Sequence, residues 1–227
     1  MQLVDDLIYY LASFIAVIFV ITTHEFAHAY AAYKCGDATA KYSGRMTLNP
    51  VKHFDPIGIL MFAFVGFGWA KPVPVNPYNF KNYKTGSVFT SIAGVAVNYL
   101  CAFLAYPLFI LTIEYVYPLF VGKYMGTFLI YLVQLLYIYS LTFCVFNLLP
   151  LYPLDGFRLL DASSNRRGRI YQFLRQYGYY ILLGLIVINL LASRIGLFYY
   201  INVLGHAMNL LRSLFSRPIL LFWNLFF

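Results

Sequence analysis

Hydrophobic residues in this chain gather into long runs separated by short polar connectors. Runs long enough to cross a bilayer lie at about 7–33, 87–113, 127–149, 176–193 and 195–211. A further apolar run, Ile57 to Ala70, has only 14 residues and contains Gly58, Gly66 and Gly68. That length suits a re-entrant or interfacial segment better than a crossing. Next to it, Lys71-Pro-Val-Pro-Val-Asn-Pro77 alternates proline with valine and asparagine, a pattern confined to an edge strand or an extended loop. An exposed edge there could hold an unwound peptide by strand addition, and an ordinary rigid loop fits equally well. The pattern predicts an all-α polytopic membrane protein. It has about five to six transmembrane helices and a short re-entrant or β-like segment.

Composition supports that class. Hydrophobic residues make up 62% of the chain and charged residues 11%, with a mean hydropathy of +0.72. A soluble domain carries about twice that charge. The net charge of +8 does not indicate nucleic acid, because the basic residues lie between apolar runs. An anionic lipid surface is the better partner. Met1 to Asp6 holds two aspartates and no lysine or arginine, so it lacks the basic region of a signal peptide. The first run is therefore expected to stay as a membrane helix. Cys35, Cys101 and Cys144 form no CxxC pair and indicate neither a disulfide framework nor a thiolate zinc site.

Charge also bears on sidedness. If 57–70 dips in and returns, 14 basic residues share one side and only Lys123 and Arg194 lie opposite. If it crosses, the split is 10 to 6. The positive-inside rule selects the first arrangement, with the amino terminus outside and the carboxyl terminus in the cytoplasm. No internal repeat is visible, and 161–169 is the clearest solvent-exposed linker. The expectation is one membrane domain over 1–227, with a catalytic core at about 7–160 and accessory helices at about 170–227.

The chemistry concentrates at His24-Glu25-Phe26-Ala27-His28, in the last third of the first run. Imidazoles at i and i+4 share one helix face about 6 Å apart along the axis, which suits two ligands of one zinc ion. The intervening glutamate is placed to act as a general base on water at that metal. Groups so costly in hydrocarbon point to a working site. Asn147-Leu-Leu-Pro150-Leu-Tyr-Pro153-Leu-Asp155-Gly156 ends the 127–149 run, where two prolines break the helix. The re-entrant arrangement puts Asp155 at the same membrane face as the end of the first helix. It is there a third ligand; alone, Asp-Gly would read as a turn or Asp155 as an N-cap.

Gly86, Thr90, Gly94, Asn98 and Ala102 recur every fourth residue, a row that lets helices approach closely. Asn98 and Asn147 are each an oxyanion donor or an interhelical hydrogen-bonding group. His53 reads as an interfacial side chain bonded to its loop, and His206 as a packing or interfacial residue. Glu114 and Lys123 fall in a short outer loop.

Together these motifs resemble the site-2 protease family of intramembrane zinc metalloproteases, over roughly Val17 to Leu160. The resemblance implies one zinc per chain held by His24, His28 and Asp155, with Glu25 as catalytic base. It implies that Asn147 positions substrate or stabilises the transition state. The substrates implied are membrane-anchored regulators or signal-peptide remnants, cut within the membrane. Val95 departs from the proline that many members carry after this glycine. The short chain without accessory modules fits a prokaryotic inner membrane, with the site toward the cytoplasm. The rival readings are a non-proteolytic metal-binding membrane scaffold and a metal transporter.

Overall fold

A computed structural model describes residues 2–65, 68–120, 123–163, 168–192 and 195–227. Among them the chain is helical, with no β-strand beyond a single antiparallel bridge between Phe54 and Ala70. The helices are α1 (Gln2–Lys34), α2 (Thr39–Tyr42), α3 (Pro56–Val65) and α4 (Tyr83–Leu111). They continue with α5 (Tyr124–Asn147), α6 (Asp155–Ser163), α7 (Arg169–Ala192) and α8 (Val203–Trp223). Among the described residues, four helical segments are long and apolar enough to cross a membrane: Gln2–Lys34, Tyr83–Phe120, Tyr124–Asn147 and Arg169–Ala192. The protein is an all-α polytopic membrane protein.

The boundaries differ from the apolar runs for identifiable reasons. Helix α7 starts at Arg169, seven residues before its apolar run, because Tyr, Gln and Arg are compatible with helix without being apolar. The run at 195–211 is not one helix. It opens with a 3₁₀ turn at Gly196–Tyr199, and Asn202 then caps α8 by accepting from the Gly205 amide at 2.9 Å. From there α8 continues through Arg212, Arg217 and Pro218, so its length is not matched by unbroken apolarity. The expected outer loop around Glu114 is instead helical, with wider and then tighter turns over Thr112–Phe120. Residues 164–167 of the expected linker, including Arg166 and Arg167, lie outside the described residues, as do Ser193 and Arg194 at the end of the 176–193 run.

The chain divides into two compact units, Met1–Ser140 and Leu141–Phe227. In the first, α1 packs along α4 and against the early turns of α5. Small residues Ala12 and Ala16 on α1 admit Leu135, and the Ser13 and Tyr139 hydroxyls hydrogen-bond at 2.7 Å. The short run 57–70 leaves and returns at one place. Helix α3 has 10 residues and spans about 15 Å, half the hydrocarbon thickness. Its two ends are tied by the Phe54–Ala70 bridge and by Lys71 N–H donating to His53 O at 3.0 Å. On the way back Trp69 O lies against Gly58, a position no side chain could occupy. The two ends of the run thus meet, through a helix and a return that forms no hairpin of strands among the described residues.

In the second unit, α6 lies on α7 through Phe157 stacked on Tyr171, centroids 5.5 Å apart. Tyr171 Oη donates to Asp161, and Asn202 Nδ2 donates to Asn189 Oδ1 at 3.0 Å to join α8 to α7.

Candidate metal centre

The first unit gathers four of the expected residues. His24 and His28 occupy adjacent turns of α1, 6% and 4% exposed, with Nε2 atoms 3.0 Å apart and rings nearly perpendicular at 86°. Two zinc–nitrogen bonds of about 2.0–2.1 Å at a tetrahedral angle separate the nitrogens by about 3.3 Å. The imidazole pair thus already has nearly the spacing that one ion requires.

The small-residue row of α4 supplies the other wall. Thr90 O lies 2.7 Å from His28 Nδ1, and Asn98 Nδ2 lies 3.0 Å from His24 Nδ1. Between them, a Cβ on Gly94 would come to 2.5 Å from both His24 Cε1 and His28 Nε2. Only glycine lets α4 approach the imidazoles this closely. Each ring thus has its second nitrogen engaged by α4, the usual support for a metal-ligating histidine.

Glu25 is half-buried, and its Oε2 accepts from Val73 N–H at 2.8 Å. This ties α1 to the extended stretch 71–76, which makes no ladder with another strand among the described residues. The same stretch is held by Arg45 Nη2 donating to Lys71 O at 2.7 Å and by Asn76 N–H donating to Asp37 Oδ2 at 2.7 Å. Asp37 also accepts from Thr39 and from Asn79 Nδ2. Burial alone would raise its pKa, but these hydrogen bonds outweigh burial and hold its carboxyl below the usual range.

The second unit contains the Asn147–Gly156 motif. Asn147 ends α5, and its Nδ2 donates to Phe143 O at 3.1 Å. Asp155 is the first residue of α6, so it begins the helix rather than capping one that starts at Phe157. It is 5% exposed, and its Oδ1 lies 3.8 Å from Arg158 Nη1. Gly156 sits against the carbonyl oxygens of Leu148 and Leu149, which leaves no room for a Cβ and explains the glycine after Asp155.

His53 is fully buried rather than interfacial, with Nε2 2.8 Å from Thr47 O in its own loop. His206 is exposed, with Nε2 3.0 Å from Tyr199 O and its ring edge-on to Tyr199. Two contributions escape sequence reasoning. Thr90 acts through its backbone, which no side chain signals. The glutamate–Val73 bond depends on how the return of the re-entrant segment is folded.

The donor set suits zinc: two imidazoles with convergent lone-pair positions, a carboxylate one residue from the first, and a glycine-shaped cradle. Comparisons with known proteins point the same way. The model of "Peptidase family M50" matches residues 110–189, which include the Asn147–Gly156 motif but not the histidine pair. "Putative zinc metalloprotease YwhC" of Bacillus subtilis is 41% identical over 175 residues, covering 76% of this chain and 78% of that one. "Putative zinc metalloprotease Rip2" of Mycolicibacterium smegmatis is 29% identical over 170 residues, 72% of this chain and 62% of that one. No solved structure matches. With that likeness carried over most of both chains, this protein belongs to peptidase family M50, the site-2 family of zinc metalloproteases.

Proposed function

We propose that this metalloprotease is an intramembrane endopeptidase that cuts transmembrane segments of membrane-anchored proteins. In this reading His24, His28 and Asp155 hold one zinc, and Glu25 is the general base. The observation that carries it is the 3.0 Å convergence of two buried Nε2 atoms, beside a glutamate, on a helix apolar enough to span a membrane. The sequence pairing of HEFAH with the Asn147–Gly156 motif supports Asp155 as third ligand, and both fall in one proposed protease domain over 1–227.

Zinc bound by such a set supplies Lewis acidity that makes water nucleophilic near neutral pH. The residues do the rest. Glu25 is oriented through Oε2 by the Val73 amide, which leaves Oε1 to take a proton from water and pass it to the leaving amine. Asn147 has a second N–H beyond the one given to Phe143, available to a substrate carbonyl oxygen as negative charge develops there. The extended stretch 71–76, whose Val73 amide meets the base, is the proposed rest for an unwound substrate strand. Such unwinding is needed because helical carbonyls are shielded by their own hydrogen bonds. The excess of basic residues on one side supports a cytoplasm-facing site in a prokaryotic inner membrane.

The test is cleavage of a single-span substrate by protein reconstituted in liposomes. Glu25→Gln should keep its zinc and lose cleavage by about 10²–10⁴-fold. Undiminished cleavage in that variant would contradict the mechanism, and zinc binding with no cleavage by the wild type would favour the scaffold.

A further inference from the structure

On one flank of their contact, α1 and α4 part to leave a cleft of about 460 Å³. Ala27 and Ala31 line it from α1, and Ala93 and Val97 from α4. Thr23 also lines it, but its hydroxyl donates within its own helix, to Phe19 O and Val20 O at 2.9 and 3.1 Å. The walls therefore suit an apolar ligand, and the volume is ordinary for a small-ligand site. Glu25 is two residues from both Thr23 and Ala27, so it projects from the far side of α1, about 200° around the helix. An occupant of the cleft leaves the base and the stretch 71–76 unobstructed.

One wall of the cleft ends in a cation. Phe26, Tyr30 and Lys34 recur every fourth residue, a single row that stops where α1 stops. Phe26 and Tyr30 both line the cleft and stack with ring centroids 6.0 Å apart. The exposed Lys34 then places its ammonium 5.3 Å from the Tyr30 ring centroid. From Lys34 back to Thr23 the helix falls by about 16 Å, roughly the hydrocarbon depth of one leaflet. That length fits an acyl chain hanging from a surface headgroup. It is about half of what a partner's transmembrane helix would need.

We propose that the cleft seats one acyl chain of an anionic phospholipid, whose phosphate pairs with Lys34. The chain gives the facing flanks of α1 and α4 the van der Waals partners that an empty groove would deny them. The ammonium adds a preference for headgroups of net negative charge. This assignment does not depend on the zinc reading of the neighbouring histidines.

Native mass spectrometry of full-length protein in detergent tests it, with phosphatidylglycerol or phosphatidylcholine of identical chains added back. The wild type should retain one saturable lipid per chain and hold phosphatidylglycerol about fivefold more tightly. Ala96→Trp sets a large ring on the exposed rim of the cleft and should abolish retention of both lipids. Ala31→Leu makes the same test where the tryptophan variant does not fold. Lys34→Gln should still retain lipid but lose the preference between headgroups. Lys84→Gln, at an exposed position in the first turn of α4, should keep that preference. Undiminished retention in the filled-cleft variant overturns the proposal, as does a wild type that retains no lipid. A preference that survives Lys34→Gln, or that Lys84→Gln removes equally, overturns it too. So does a lipid-free dimer that Ala96→Trp dissociates, which would give the cleft to a second copy of this chain.

Discussion

Glu25 accepts a hydrogen bond from the backbone amide of Val73 at 2.8 Å, which fixes the glutamate of the metal motif against an extended segment 48 residues later. One carboxylate thus orients itself and anchors that segment. The two roles separate by substitution. Glu25→Gln keeps an oxygen acceptor for Val73, whereas Glu25→Ala removes it. Hydrogen exchange at the Val73 amide should stay slow in the glutamine variant and accelerate in the alanine variant, while both lose cleavage. Equal protection in the two would show that the segment is held by other contacts.

Gly94 is the tightest point between α1 and α4. Gly94→Ala would place a methyl carbon 2.5 Å from His24 Cε1 and His28 Nε2, so the helices must separate or the rings must turn. The expected cost is about 1–3 kcal/mol of stability with weakened zinc retention. Thermal unfolding and metal content measured on the same sample check both effects. Gly184, with open space around its α-carbon, is the control position and should accept alanine without loss.

The bridge between Phe54 and Ala70 brings the two ends of the short apolar run together, as a run that enters and leaves on one side requires. Single cysteines at the exposed positions Lys52 and Lys71, in a background lacking Cys35, Cys101 and Cys144, should therefore react with a membrane-impermeant thiol reagent from the same face. Labelling from opposite faces would mean that 57–70 crosses the bilayer.

Asp37 gives a pH prediction. Its folded carboxyl pKa is lowered, so it contributes stability at pH values above the unfolded value of about 3.9. That contribution is lost as pH falls through the lower folded value. The melting-temperature advantage of wild type over Asp37→Asn should be full near pH 6 and shrink as pH falls below about 4. A constant difference across that range would mean that the charge of Asp37 is not what holds Asn76 and Asn79.

How much was legible in the sequence follows from which interactions are local. HEFAH places two imidazoles on one helix face by spacing alone, and the structure has them there. The 14-residue run read as short for a crossing, and the structure has its ends tied together. The four-residue row on α4 read as a close-packing face. Its members Thr90, Gly94 and Asn98 indeed face the imidazoles, but which nitrogen each one meets depends on the register of α4 against α1. That register is tertiary and leaves no mark in spacing. Apolarity likewise misplaced the ends of α7 and α8, because it tracks a membrane-compatible surface, whereas Asn202 and the backbone decide where a helix starts.

The central claim is that one zinc is held by His24, His28 and Asp155. Metal content per chain, measured on gently extracted protein, tests it most directly. The account predicts about one zinc per chain in the wild type and in Glu25→Gln, and little in His24→Ala, His28→Ala or Asp155→Ala. Full zinc content in Asp155→Ala, or none in the wild type, would contradict it.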